Sequence, residues 1–132
     1  MSPFNQNEIE DFEKFGYVFP VEVLSDSELK TCREKLESFE ATQDGKLEAS
    51  QRNKSHLLFK WLDDLIRDPR ILDPVEDLIG SDILCWNTIF WIKEAHSQSF
   101  VSWHQDTRYW GLSSKNVLTA WLALSPASQK SG

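Results

Sequence analysis

Apolar positions change their spacing along this chain, from a helical period before residue 80 to a period of two after Ile83. Asn5 and Glu8 stand three apart in the pattern of a capping box, Ile9 and Phe12 share a face, and Gly16 can stop the helix. Tyr17 to Val23 is β-branched and aromatic, which predicts a short strand interrupted by Pro20. Ser25 and Glu28 repeat the capping box. Leu29, Cys32, Leu36 and Phe39 then recur at helical spacing, predicting a helix of about four turns. Thr42 to Ser55 is polar and contains Gly45, so a mobile loop is expected there. Leu57 to Ile66 alternates apolar and charged residues at helical period, and a further short helix is expected between Pro69 and Gly80.

From Ile83 to Lys93, and again from Val117 to Leu124, the period of two predicts strands. Asn87, Ile89, Trp91 and Lys93 would share one face of the first, with Trp86, Thr88, Phe90 and Ile92 on the other. In the second, Thr119 and Trp121 share a face opposite Leu118, Ala120, Leu122 and Leu124. Helices followed by strands predict an α+β protein. It would have a helical region with one short strand over residues 1–80 and strands over residues 81–132, as one domain. No repeat or low-complexity tract interrupts this order.

Composition narrows the partners. A net charge of −7 argues against nucleic acid and anionic membranes, both of which reward basic patches. No apolar run approaches the roughly 18 residues of a membrane span, and Met-Ser-Pro-Phe-Asn-Gln-Asn-Glu lacks the basic and apolar blocks of a signal peptide, so a cytoplasmic protein is expected. Cys32 and Cys85 lie in apolar patterns and read as buried free thiols. Six Trp and eight Phe suit either an aromatic-lined cavity or a tryptophan-rich core.

The chemistry concentrates at Trp103-His104-Gln105-Asp106. In an extended strand, residues two apart point the same way, so His104 and Asp106 would aim an imidazole and a carboxylate at one point. That is two thirds of a 2-His-1-carboxylate site for non-haem Fe(II), which leaves open positions for small ligands. A surface histidine beside a solvated aspartate is the bland alternative for so short a motif.

The segment Ile83-Leu-Cys-Trp-Asn-Thr-Ile-Phe-Trp-Ile-Lys93, then Phe100-Val-Ser-Trp-His-Gln-Asp106, Tyr109-Trp-Gly111 and Val117-Leu-Thr-Ala-Trp-Leu-Ala-Leu124, resembles the phytanoyl-CoA dioxygenase family of Fe(II)/2-oxoglutarate oxygenases, which includes ectoine hydroxylases. The entry "DFEKFGYVF" followed by a capped helix is similar as well. The resemblance implies a double-stranded β-helix (jelly roll) behind an N-terminal helical layer, with only the first part of the barrel present. It implies Fe(II) on His104 and Asp106, with 2-oxoglutarate and O2 as cosubstrates and succinate and CO2 as co-products of C–H hydroxylation of a small organic molecule. Lys93 would contact 2-oxoglutarate, with Ile89, Gln105 and Trp121 near it, and Asn87 and Trp110 toward the substrate. Lys54 is similar in place to a further cosubstrate-binding lysine of the family, although a solvated loop charge is the simpler reading.

One departure accompanies the match. The family's second iron histidine and its 2-oxoglutarate-binding arginine follow the first motif at a distance, whereas His56 and His96, the other histidines here, both precede it. Ser131-Gly132 falls about where the family shows an Asn-Gly turn, so a truncated longer protein is expected, unstable and inactive as it stands. The rival is a degenerate, non-catalytic jelly-roll module that binds a metal or ligand through an incomplete site. A cupin-type isomerase or zinc hydrolase fits the Lys93 and Trp121 correspondences less well. Neither the substrate nor the oligomeric state is legible.

Overall fold

The two capping boxes both form in the computed structural model, which describes residues 3–43, 45–114 and 116–130. Helix α1 (Gln6–Phe15) begins where the Asn5 side chain accepts the Asn7 and Glu8 amides, while Glu8 Oε2 accepts the Asn5 amide at 2.8 Å. It ends at Gly16, whose φ of 80° lies in the left-handed region and whose N–H returns to Phe12 O. Helix α2 (Asp26–Thr42) starts from the reciprocal Ser25–Glu28 box. After it come α3 (Ala49–Arg52), a 3-10 turn at Ser55–Leu57, α4 (Lys60–Leu65) and α5 (Pro69–Ile79). Asp68 caps α5 by accepting the Arg70 amide, Pro69 opens it where no amide is needed, and Gly80 closes it.

Two contacts tie these helices together. Helix α1 lies against α5, with Phe4 and Pro74 buried and the Phe4 amide donating to Asp77 Oδ2 at 3.2 Å. Arg70, at the start of α5, reaches both Glu28 oxygens (2.9 and 3.1 Å) and both Asp68 oxygens (2.7 and 3.0 Å), clasping the N-terminus of α2. That guanidinium, helped by the Ser25 amide and hydroxyl, holds the Glu28 carboxyl down at about 2 from its ordinary 4.5.

The core is small. Leu47, Phe59 and Leu62 are buried, with Leu36, Phe39, Trp61, Leu65, Phe90 and Ile92 packed around them. The Phe59 ring meets Phe39 edge-on at 4.8 Å and Phe90 edge-on at 6.3 Å. Phe90 and Ile92 are half-buried while Ile89, Trp91 and Lys93 on the alternate positions are exposed, so the period of two holds from Thr88 to Lys93. It fails just before, where Trp86 is exposed and Asn87 half-buried.

The sheet does not follow from that alternation. The α+β jelly roll expected above is absent: among the described residues the structure is helical, and Ile83 to Leu124 contains no strand ladder, only one antiparallel bridge between Asn53 and Ile89. Tyr17 to Val23 is likewise irregular rather than a strand. A strand is held by hydrogen bonds to a neighbouring segment, and alternation specifies only which side chains share a face. Segments 83–93 and 117–124 do not pair with each other, so large apolar side chains stay in water: Leu84, Phe100, Trp103 and Trp121 are all exposed.

The expected mobile loop is also corrected. Within it lie α3 and a junction that fastens the helices to the extended segment. Phe90 N–H donates to Arg52 O (3.0 Å), Lys54 N–H to Asn87 Oδ1 (2.9 Å) and His56 N–H to Thr88 Oγ1 (3.0 Å), and Ser55 is 1% exposed beneath them. Helix α4 starts at Lys60 rather than near Leu57, because the 3-10 turn occupies the intervening positions. Cys32 and Cys85 are both free thiols, and Cys85 is exposed rather than buried. No described helix is long and apolar enough to cross a membrane. Ser131-Gly132, compared above with an Asn-Gly turn, lies outside the described residues.

Candidate metal centre

His104 follows a bend at Trp103, and Asp106 immediately precedes the short helix α6 (Thr107–Trp110), which Gly111 stops at a φ of 62°. Asp106 itself has φ −58° and ψ −41°, so the backbone is already turning helically there. The two side chains therefore meet through a turn and not through strand parity: His104 Nε2 lies 3.2 Å from Asp106 Oδ1.

The surrounding bonds give each atom of the pair a distinct task. His104 Nδ1 is 2.8 Å from Ser102 O. A carbonyl only accepts, so Nδ1 carries the proton. In a neutral ring Nε2 is then a bare lone pair facing a carboxylate oxygen. Two acceptors at that distance call for a positive species: a second proton on the ring, or a cation shared between them. Metal-bound histidines are commonly held by such a contact on the other ring nitrogen. Asp106 Oδ2 accepts the Thr119 hydroxyl at 2.7 Å, leaving Oδ1 for Nε2. Ser102 and Thr119 went unnoticed as partners in the sequence. Nothing marks Ser102, because a backbone carbonyl has no residue signature, whereas Thr119 is a polar position in an otherwise apolar run.

The donor chemistry suits Fe(II). Two donors about 2.1 Å from one octahedral ion, and adjacent on it, stand about 3 Å apart. The 3.2 Å separation of an imidazole nitrogen and a carboxylate oxygen matches that spacing, and the side chains are about one third exposed and hence reachable. No group of three or more His, Cys, Asp or Glu side chains able to hold a metal occurs among the described residues. His56 is occupied by Thr88, its Nδ1 lying 2.8 Å from Oγ1, and His96 sits in a turn at φ 62°.

Around the pair, the Tyr109 ring stands edge-on to His104 at 6.2 Å. Trp110 is half-buried and lies 6.5 Å from Trp86, whose ring is 5.8 Å from Lys54 Nζ. Lys54 adopts a φ of 52°, unusual for a side-chain-bearing residue. Asn87 gives its side-chain oxygen to the Lys54 amide. Lys93, Gln105, Ile89 and Trp121 are exposed, and no hydrogen bond or ring contact joins their side chains to the pair. The structure thus brings His104, Asp106, Thr119 and Tyr109 together and leaves Lys93, Ile89 and Trp121 apart from them.

A family model, phytanoyl-CoA dioxygenase (PhyH), matches residues 12–132, the helical region and the His104–Asp106 motif together. The chain belongs to the phytanoyl-CoA dioxygenase family. Members of this family are 2-oxoglutarate-dependent dioxygenases that generally use Fe(II). No curated protein and no solved structure gives a match to this phytanoyl-CoA dioxygenase family member.

Proposed function

We propose that this chain serves an Fe(II)- and 2-oxoglutarate-dependent hydroxylation of a C–H bond in a small organic substrate, with His104 Nε2 and Asp106 Oδ1 as two of the iron ligands. The observation that carries this reading is His104 Nε2 held 3.2 Å from Asp106 Oδ1 while Nδ1 lies 2.8 Å from Ser102 O. When bound, Fe(II) and 2-oxoglutarate supply the oxidation: one oxygen atom of O2 enters succinate, the other enters the substrate as hydroxyl, and CO2 leaves.

The protein's own residues supply position. Ser102 O fixes the tautomer that presents Nε2. Trp110, at the end of α6, and Trp86 lie 6.5 Å apart and offer an apolar face suited to an organic substrate. Lys93 provides a cation for a carboxylate of 2-oxoglutarate, with Ile89, Gln105 and Trp121 as neighbours of the cosubstrate. This role for Lys93 requires the 83–93 segment to come against the pair, to which no hydrogen bond joins Lys93 here.

The test is anaerobic titration of the chain with Fe(II), followed by 2-oxoglutarate, reading the visible band of the ternary complex. Asp106→Ala should abolish the band and the iron binding together, since one remaining ligand cannot hold the ion. Undiminished iron binding in Asp106→Ala would overturn the ligand assignment.

A further inference from the structure

We infer that Thr119 is a positioning residue for the metal centre, acting through Asp106. The inference rests on the reading of His104 and Asp106 as ligands. A carboxylate has two equivalent oxygens and a nearly free terminal rotation. Unless something distinguishes the oxygens, the group samples orientations in which neither faces the imidazole. Here Thr119 Oγ1 donates to Oδ2 at 2.7 Å, within the short range of a hydroxyl on an ionised carboxylate. With Oδ2 engaged, Oδ1 is the oxygen left beside His104 Nε2. Asp106 is thereby set up to bind through one oxygen, which keeps the remaining positions around an ion free.

The contact also joins distant parts of the chain. Thr119 lies 13 residues beyond Asp106, in the 117–124 segment, and its hydroxyl fastens that segment to the turn that carries the pair. A valine has the same shape but no proton to donate. A serine keeps the proton and loses only a methyl group. Since Thr119 is exposed, neither change costs much packing, and the two differ chiefly in the hydrogen bond.

The experiment uses Mn(II), an air-stable stand-in for Fe(II), titrated into the isotopically labelled chain while paramagnetic broadening of the His104 ring and Asp106 signals is followed by NMR. The expected result is selective broadening at both residues in the parent chain and in Thr119→Ser. Thr119→Val should need on the order of tenfold more Mn(II) for the same effect, as outer-shell partners of metal ligands usually do. Equal broadening in the parent and Thr119→Val chains would overturn the positioning role while leaving the ligand assignment standing. Absence of broadening at His104 in the parent chain would overturn the ligand assignment and this inference with it. If Thr119→Val loses its dispersed spectrum, Thr119→Ala carries the same comparison. Loss of fold in both would overturn the inference by showing that Thr119 serves the fold and not the carboxylate.

Discussion

Within residues 5–80 most backbone hydrogen bonds span three or four positions, whereas from Ile83 onward the bond that organises the chain is the long reach of Phe90 N–H to Arg52 O. The two regions carry equally clear apolar patterns, but only in the first does the pattern become regular structure. A helix closes its bonds within itself, so a capped amphipathic stretch needs little beyond one face to bury. A strand completes itself only against another segment, and its side-chain period says nothing about which one. A clear pattern is therefore sufficient instruction for the first region and incomplete instruction for the second.

The largest test of this contrast is at Phe59, where the two regions meet. Its ring touches Phe39 from α2 and Phe90 from the extended segment. Phe59→Ala should cost about 3–5 kcal/mol, measured by urea unfolding, and should release both regions together. If the helices instead kept their full stability, the core would not be shared.

A smaller change separates the regions without touching the core. Asn87→Ala removes the acceptor for the Lys54 amide, a loss of about 1 kcal/mol. Hydrogen exchange at Lys54 and His56 should accelerate while the α2 and α5 amides stay protected. Uniform acceleration across the helices would show that the junction supports the whole fold and not one seam of it.

The smallest effect concerns acid. Because Arg70 holds the folded Glu28 carboxyl at about 2 against an ordinary 4.5, the folded chain binds that proton less readily than the unfolded one. The stabilisation is complete above about pH 4.5 and is lost as pH falls toward about 2. Arg70→Met should lower thermal stability slightly above about pH 4.5, the loss being small because the pair is exposed, and should converge with the parent as pH falls toward about 2, which flattens the acid limb. An identical acid limb in the variant would place the dependence elsewhere.

The sequence made visible whatever is settled locally. Both capping boxes, the Pro69 and Gly80 limits of α5 and the shared face of Phe90 and Ile92 could all be read from neighbours within a few positions. Burial of Ser55 could not, because its cover depends on Asn87 and Thr88 more than thirty positions away. At the candidate site, the residue types were legible and the geometry was not. Strand parity was the expected route to a shared point, yet Asp106 reaches His104 from a helical turn. Thr119 was legible as a polar position in an apolar run, but only its distance to Oδ2 gives it a task.

The junction between residues 52–56 and 87–90 also orders events in time. It closes a loop that contains all of α4 and α5. Those helices can form on the roughly microsecond scale of local structure, before the ends of the loop have met. Bringing the ends together then costs an entropy that grows only slowly with the length enclosed. The 87–90 segment thus joins helices that can already have formed. Opening of this seam would return Phe90 to solvent and uncover Ser55, so the most buried polar side chain among the described residues depends on a closure made across more than thirty positions.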